Sequence, residues 1–204
     1  MKKALTPSFE NFYDKIKEIL ESARNRSYMA VNFEMVQAYW NIGRSIVEEE
    51  QAGRERAEYG KYLLSNLSIR LTAEYGKGFD YRNLAYMRQF YQTFPNMNAL
   101  RSELSWTHYR ILIRVDREQA REFYLQECVE GNWSTRQLER QINSLYFERI
   151  LMSSKKGRPL VKKEADGKKE VMQPGHIIKD PYVLEFLNLN PYDTPLFSTT
   201  GIGY

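Results

Sequence analysis

The sequence predicts a mainly α protein, in which a multi-helix domain with a helix-turn-helix or winged-helix-like core is followed by a flexible tail. Up to about residue 152, apolar residues recur at the three- and four-residue spacing typical of amphipathic helices. Glycine and proline breaks divide this pattern into separate elements. From residue 153 the composition changes to Lys, Gly, Glu and Asp with few large apolar side chains. Such a segment cannot offset the entropy lost on ordering, so it predicts an unstructured linker.

The first two helices are predicted at about 8–24 and 28–50. The first carries one apolar stripe, formed by Phe9, Phe12, Tyr13, Ile16 and Ile19. The second is apolar on two sides, with Val31, Met35, Tyr39, Ile42 and Ile46 on one side and Phe33, Val36, Trp40 and Val47 on the other. A helix that is apolar on both sides is normally buried. We therefore expect the second helix in the domain centre or in an oligomer interface.

A tight turn separates the third and fourth helices, which are predicted at about 55–75 and 81–93. The glycines of Gly76-Lys-Gly-Phe-Asp80 permit a positive φ, and Asp80 can cap the helix that follows. The fourth helix ends before Pro95, because the residue that precedes a proline avoids the helical region.

Three further helices are predicted at about 105–114, 116–130 and 135–152. Asp116 is the predicted cap of the sixth helix, and Ser134 with Gln137 forms a capping box for the seventh. The chain therefore divides into a helical domain at 1–152, a charged linker at 153–175 and the opening of a second domain at 176–204.

The charge is concentrated in the linker. The chain has a net charge of +4, and residues 155–170 alone hold seven Lys or Arg against three Asp or Glu. The single cysteine, Cys128, excludes an intrachain disulfide and is expected to be a small buried hydrophobe in a reducing compartment. The N-terminus lacks the apolar run of a signal peptide, and no stretch is long and apolar enough for a membrane span. A cytoplasmic protein without a membrane partner is expected.

No catalytic residues are predicted. Two histidines and one cysteine cannot form a zinc site of typical spacing, and neither a P-loop nor a nucleophile elbow is present. His108 lies between aromatic residues and is expected to be structural. The acid-x-Lys pattern of a metal-dependent nuclease occurs only as Asp166-Gly-Lys168, inside the linker, where nothing would hold it rigid. We expect no enzyme, no cofactor and no metal.

The fourth helix is the strongest candidate for contact with DNA. At about 100° per residue, Arg82, Tyr86 and Gln89 share one face, opposite to the apolar face that packs inward. Arg and Gln can form paired hydrogen bonds with base edges, and Tyr can reach phosphate. Lys77 in the turn and Arg88 on the flank could add phosphate contacts. The alternative is that this face is only the solvated side of an amphipathic helix.

Two other regions could contribute to DNA binding. Arg136 and Arg140 lie on the predicted seventh helix and form a second, weaker candidate. The linker could add salt-sensitive affinity that does not depend on sequence. Its basic residues are Lys155, Lys156, Arg158, Lys162, Lys163, Lys168 and Lys169. A solvated tether is the alternative interpretation of this segment.

Several motifs resemble the bacterial YhcG family, and they span most of residues 10–187 in the same order. They are Tyr39-Trp40-x-Ile42-Gly43, Arg56-Ala-Glu-Tyr-Gly-Lys61, Gly76-Lys-Gly-Phe79, Asn83-Leu84, Met87-Arg-Gln-Phe-Tyr91, Leu104-Ser-Trp-Thr-His-Tyr109, Trp133-Ser-Thr-Arg-Gln-Leu-Glu-Arg-Gln-Ile142 and Asp180-Pro-Tyr-Val-Leu-Glu-Phe-Leu187. The resemblance implies a winged-helix-like N-terminal domain joined to a PD-(D/E)xK nuclease domain that acts on DNA. Residues 188–204 do not resemble the nuclease continuation. Residues 176–204 are thus predicted to be the stub of a truncated nuclease domain without its metal-binding motif.

A weaker similarity to the helix-turn-helix region of ParB-type partition proteins also favours the fourth helix as the recognition helix. The predicted function is the DNA-binding N-terminal domain of a YhcG-like nuclease-family protein that lacks the catalytic core. The alternative is a protein-interaction or oligomerisation module that docks a separate nuclease subunit. Aromatic residues are plentiful, with 15 Tyr, 10 Phe and 3 Trp, and they would suit such an interface.

Overall fold

The computed structural model describes residues 7–52, 57–167, 170–172 and 181–187, which form nine α-helices. They are α1 (Pro7–Ala52), α2 (Ala57–Tyr75), α3 (Tyr81–Thr93), α4 (Trp106–Leu112), α5 (Glu118–Gly131), α6 (Thr135–Asn143), α7 (Tyr146–Met152), α8 (Arg158–Asp166) and α9 (Pro181–Phe186). Short 3₁₀ turns occur at Lys77–Phe79 and Met97–Ala99. Within these ranges the only pairing of extended backbone is an isolated bridge between Trp133 and Val171. The mainly α prediction is confirmed, whereas the described residues do not form the β-hairpin of a wing.

The prediction of two separate helices before residue 50 is wrong, because α1 is one continuous helix of 46 residues. Asn25, Arg26 and Ser27 lie where the break was expected, and none of them is a helix-breaking residue. The Ser27 hydroxyl donates to the Ala23 carbonyl and so remains within the helical pattern. The second half of α1 is the centre of the domain, as expected. Its buried apolar side chains are Met35, Val36, Tyr39, Trp40, Ile46 and Val47.

Helix α1 crosses α3 at unusually short range. A Cβ atom at Gly43 would lie 2.0 Å from the carbonyl oxygen of Met87, so only glycine allows this approach. Two hydrogen bonds fix the long helix to the segments after α3. The Trp40 indole donates to the Phe94 carbonyl at 2.6 Å, and the Asn32 amide donates to the Leu104 carbonyl at 2.9 Å. Both Asn32 and Trp40 are buried, so each bond satisfies a polar group that water cannot reach.

The turn before α3 has the predicted form. Gly76 has a φ of +96°, and the Asp80 side chain accepts a hydrogen bond from the Asn83 backbone at 2.7 Å. The buried Asn83 side chain then connects two elements, because its amide donates to the Gly78 carbonyl and its oxygen accepts from the Trp106 indole at 3.1 Å. The turn, α3 and the start of α4 are therefore held together by one asparagine.

Helices α4 and α5 begin with different caps. Ser105 and His108 form a capping box at α4, in which the Ser105 hydroxyl accepts from the His108 backbone. The prediction that Asp116 caps the next helix is wrong. Helix α5 starts at Glu118, so Arg117 is at the cap position, and Asp116 lies one residue too early to accept from the first turn.

The predicted seventh helix is divided into α6 and α7. Leu145 adopts a φ of +54°, which ends the helical hydrogen bonding between the two. Ser134 caps α6 as predicted, accepting from the Gln137 backbone at 3.2 Å. The second half of the predicted capping box is wrong, because the Ser134 backbone donates to the Glu170 carbonyl at 2.8 Å and not to the Gln137 side chain. The Gln137 amide donates to the Ala165 carbonyl at 3.3 Å.

The prediction that residues 153–175 are an unstructured linker is wrong for the described part of that segment. Residues 158–166 form α8, and the buried Ala165 accepts hydrogen bonds from two amides of α6. Further along, Met172 is buried and its backbone donates to the Asn132 carbonyl at 2.9 Å. These contacts offset the conformational entropy that the segment loses on ordering. The composition had indicated that no such contacts would form. Residues 168–169 and 173–180 lie outside the described residues, and the proposed domain boundary stays a prediction.

The second domain predicted at 176–204 is described only at residues 181–187, which include α9. Val183 in this helix is buried, and the Phe186 ring lies 6.2 Å from the Tyr39 ring of α1. Within the described ranges, no helix combines the length and the apolar character needed to cross a membrane.

Substitution of Gly43 with alanine should destabilise the fold, because the added methyl group must displace the α3 backbone. We expect Gly43→Ala to lower the free energy of unfolding by about 1–3 kcal/mol or more, in the range of overpacked cores. Urea unfolding of the full chain measures this value. Gly157→Ala is the matched control, because the nearest atom to its Cβ would lie at 3.5 Å. Equal stability of the two variants would contradict the close crossing.

His108 should make stability depend on pH. Burial lowers its pKa from 6.5 to about 4, and the ring lies 2.8 Å from the Ser105 hydroxyl and 3.0 Å from the Trp133 carbonyl. Between pH 6.5 and about 4, His108 binds a proton in the unfolded chain but not in the folded chain. The free energy of unfolding therefore falls as the pH decreases through this range. At pH 5 we expect a loss of about 2 kcal/mol relative to pH 7 from this group.

The test is urea unfolding of the wild type and His108→Gln at both pH values. The glutamine cannot titrate, so the loss on acidification should be smaller in the variant by about that amount. An identical loss in both proteins would show that His108 is not buried in its neutral form.

Candidate nucleic-acid interface

The turn and the first half of α3 present the predicted basic residues to solvent. Lys77 and Arg82 are both exposed. The Arg82 guanidinium lies 5.8 Å from the centre of the Tyr86 ring, one helical turn further along. Their hydrogen bond raises the pKa of Arg82 and lowers that of Tyr86. The helix therefore holds the arginine and the phenol together on one face.

A second arginine reaches the same tyrosine from α4. The Arg110 guanidinium lies 4.6 Å from the centre of the Tyr86 ring and 5.0 Å from that of Tyr182 in α9. It also donates a hydrogen bond to the Tyr182 hydroxyl. We call Arg82, Tyr86, Arg110 and Tyr182 the arginine–tyrosine cluster. It brings two positive charges onto one aromatic ring, which orders both side chains without neutralising them.

The other two α3 residues predicted to contact DNA are engaged within the domain. Arg88 forms an ion pair with Glu50 of α1 at 2.9 Å and is half-buried. The Gln89 amide donates to the Ile113 carbonyl at 3.1 Å, although its side chain is exposed. Each would have to leave an existing partner to reach a base or a phosphate. The structure therefore separates the predicted α3 set into two groups. Lys77 in the turn and Arg82 and Tyr86 in the N-terminal part of α3 face solvent, whereas Arg88 and Gln89 hold α3 in place.

The second candidate region lies on α6, which packs against α4, α5 and α7. Arg136 is exposed in the first turn of this helix. Arg140 is half-buried, and its guanidinium donates to the Gln137 side chain. Of the linker cations, Lys162 pairs with Glu127 at 3.6 Å. Helix α6 contributes no residue to the arginine–tyrosine cluster.

The sequence did not predict Arg110 or Tyr182 as part of the site. Arg110 directly follows the motif at 104–109, and Tyr182 lies within the motif at 180–187. The two residues are 72 positions apart in sequence and come into contact only in the folded chain. Helical periodicity relates residues within one element, so it carried no signal for this contact.

The described residues do not show an arrangement suited to metal chemistry. No group of three or more His, Cys, Asp or Glu side chains within them is placed to hold a metal ion. Cys128 is buried, and burial raises the pKa of its thiol well above the usual range. His108 is also buried, and its ring nitrogens contact Ser105 and Trp133.

Comparison with known proteins identifies the family. The family described as the DUF1016 N-terminal domain matches residues 15–149. An Escherichia coli (strain K12) protein named "Putative nuclease YhcG" is 34% identical over 216 residues, which cover 90% of this chain and 57% of that protein. The chain thus spans a little more than half the length of this relative, and no solved structure matches it significantly. This chain belongs to the YhcG family and carries its DUF1016 N-terminal domain.

Proposed function

We propose that this chain is the DNA-binding part of a YhcG-like nuclease-family protein and that the turn and the N-terminal part of α3 contact the duplex. The chain's relation to a nuclease family makes DNA a reasonable partner. The single observation that carries the proposal is the arginine–tyrosine cluster, in which an exposed arginine on α3 is held beside an aromatic ring and a second arginine.

The position of these residues suits a recognition helix. In a helix-turn-helix, the N-terminal residues of the second helix contact the bases and flanking groups contact the backbone. Arg82 is the second residue of α3, and Lys77 precedes the helix in the turn. Arg82 would contact a base edge or a phosphate, while Lys77 would contact phosphate. Tyr86 would hold Arg82 in place. Because the arginine side chain is already ordered by stacking on the ring, it would lose less conformational entropy when it binds DNA.

The remaining basic residues have smaller roles in this proposal. Arg88 and Gln89 would support the position of α3 through Glu50 and Ile113. Arg136, Arg140 and the basic segment at 155–170 would add affinity that depends on salt but not on DNA sequence. The second candidate function, a module that docks a separate nuclease subunit, uses apolar surface and would show little dependence on salt.

The proposal assigns no catalytic role to the described residues. The chain would bind DNA without cutting it, and cleavage would depend on a nuclease domain or subunit. Incubation of the full chain with duplex DNA and Mg²⁺ tests this part directly. Intact DNA is the expected product, and Mg²⁺-dependent cleavage by the purified chain would overturn the assignment.

Replacement of Arg82 should weaken DNA binding. We expect Arg82→Ala to lower the affinity of the full chain for duplex DNA by about 1–3 kcal/mol, roughly 5- to 150-fold. The reason is the loss of a charged, pre-oriented donor from the proposed interface. Fluorescence anisotropy across a salt series measures the affinity and its salt dependence, which should be steep for the wild type.

Arg44→Ala is the matched control, because it removes the same charge from an exposed arginine that pairs with Glu48 within α1. Its affinity should stay close to that of the wild type. If Arg82→Ala and Arg44→Ala bind equally well, the face of α3 is not the interface. Binding that does not change with salt would favour the docking module instead.

A further inference from the structure

The N-terminal half of α1 is a separate structural feature of this chain. Every side chain from Phe9 to Ser27 is exposed, in contrast to the buried second half of the same helix. At 1.5 Å per residue, this half extends for about 30 Å. Lys17 pairs with Glu21, and the Arg26 guanidinium donates to the Ser22 hydroxyl, each within one turn of this helix. Among the described residues, none of its apolar side chains from Phe9 to Leu20 packs against the hydrophobic core.

Its apolar residues form one narrow stripe. At about 100° per residue, they all lie within about 60° of Ile16. Their exposed fractions run from 41% to 60%, and the set consists of Phe9, Phe12, Tyr13, Ile16, Ile19 and Leu20. The spacing of Phe9, Phe12, Ile16 and Ile19 is that of the a and d positions of a heptad, the pattern that packs one helix against another.

The stripe does not continue the face of α1 that contacts the domain core. With Ile16 at 0°, the buried residues Met35, Tyr39 and Ile46 fall between about 100° and 140°, and Val36 and Gly43 fall near about 180–200°. The two halves of α1 therefore turn their packing faces in nearly opposite directions. The core formed by the described residues therefore lies on the side of α1 opposite to the stripe.

We propose that this stripe, the six apolar residues from Phe9 to Leu20, binds the same stripe of a second copy of the chain. The three aromatic residues, with ~150–250 Å² each, and the three smaller aliphatic residues are each about half exposed. The six residues therefore present about 500 Å². Pairing of two copies would bury about 1,000 Å² in total, which is the minimum area expected of a biological interface.

The charges around the stripe favour a second copy over a strongly charged partner. Residues 9–27 contain four acids and four bases, so their net charge is zero. The acids are Glu10, Asp14, Glu18 and Glu21, and the bases are Lys15, Lys17, Arg24 and Arg26. Two copies can approach without net repulsion, and a symmetric pair needs only one self-complementary surface. Nucleic acid would instead require a basic face.

Sedimentation or light scattering of the full chain over a range of concentrations, without DNA, tests the inference. The wild type should have twice the mass of the 24.2 kDa chain. The double variant Ile16→Glu/Ile19→Glu should have the mass of one chain, because it places charge in the middle of the stripe. Circular dichroism should show unchanged helix content, since both side chains are exposed.

The matched control is Asn11→Glu/Asn25→Glu, which adds the same two charges to the opposite side of the same exposed helix. This variant should remain dimeric. A wild type of single-chain mass at every concentration would overturn the inference, whatever else covers the stripe. A dimer that survives in the Ile16/Ile19 variant would also overturn it. The outcome is independent of DNA binding by α3.

Discussion

The close crossing of α1 and α3 is the constraint on which the rest of this domain depends. Gly43 allows the two backbones to approach, and the buried Trp40 and Asn32 attach α1 to the segments that follow α3. Asn83 then joins α3 to the turn and to α4. Because α3 is fixed from both sides, its outer face has a defined orientation. A recognition helix needs such a rigid support, since misplacement of a contact residue costs affinity.

The local parts of this arrangement were predictable from sequence. The turn at Gly76, the cap at Asp80 and the bounds of α3 followed from residue types whose effects extend over only a few positions. The wrong predictions have two causes. Either the local sequence signal is weak, or contacts between residues distant in sequence stabilise the segment. The helix break at Leu145 occurs at a residue other than glycine, so its residue type gives no signal. Ala165 is held by hydrogen bonds from two amides of α6 that are distant in sequence. The composition of the segment alone does not predict those hydrogen bonds.

The candidate site was predictable to a similar extent. Helical periodicity correctly placed Arg82 and Tyr86 on one face, and the structure shows them in contact. It could not show that Arg110 would stack on the same ring or that Tyr182 would lie against Arg110. The motif that contains Tyr182 thereby acquires a structural role in this chain, because α9 helps to order the cluster beside the proposed DNA-binding face.

Hydrogen exchange of the full chain with and without duplex DNA tests whether α3 binds DNA, because it locates the bound surface along the sequence. We expect slower exchange in the turn and α3, residues 76–93, on addition of DNA. Exchange in the second half of α1 should stay slow in both states, since it is already buried. Slowing confined to residues 155–170, with α3 unchanged, would show that α3 does not bind DNA and that the basic segment alone contacts it.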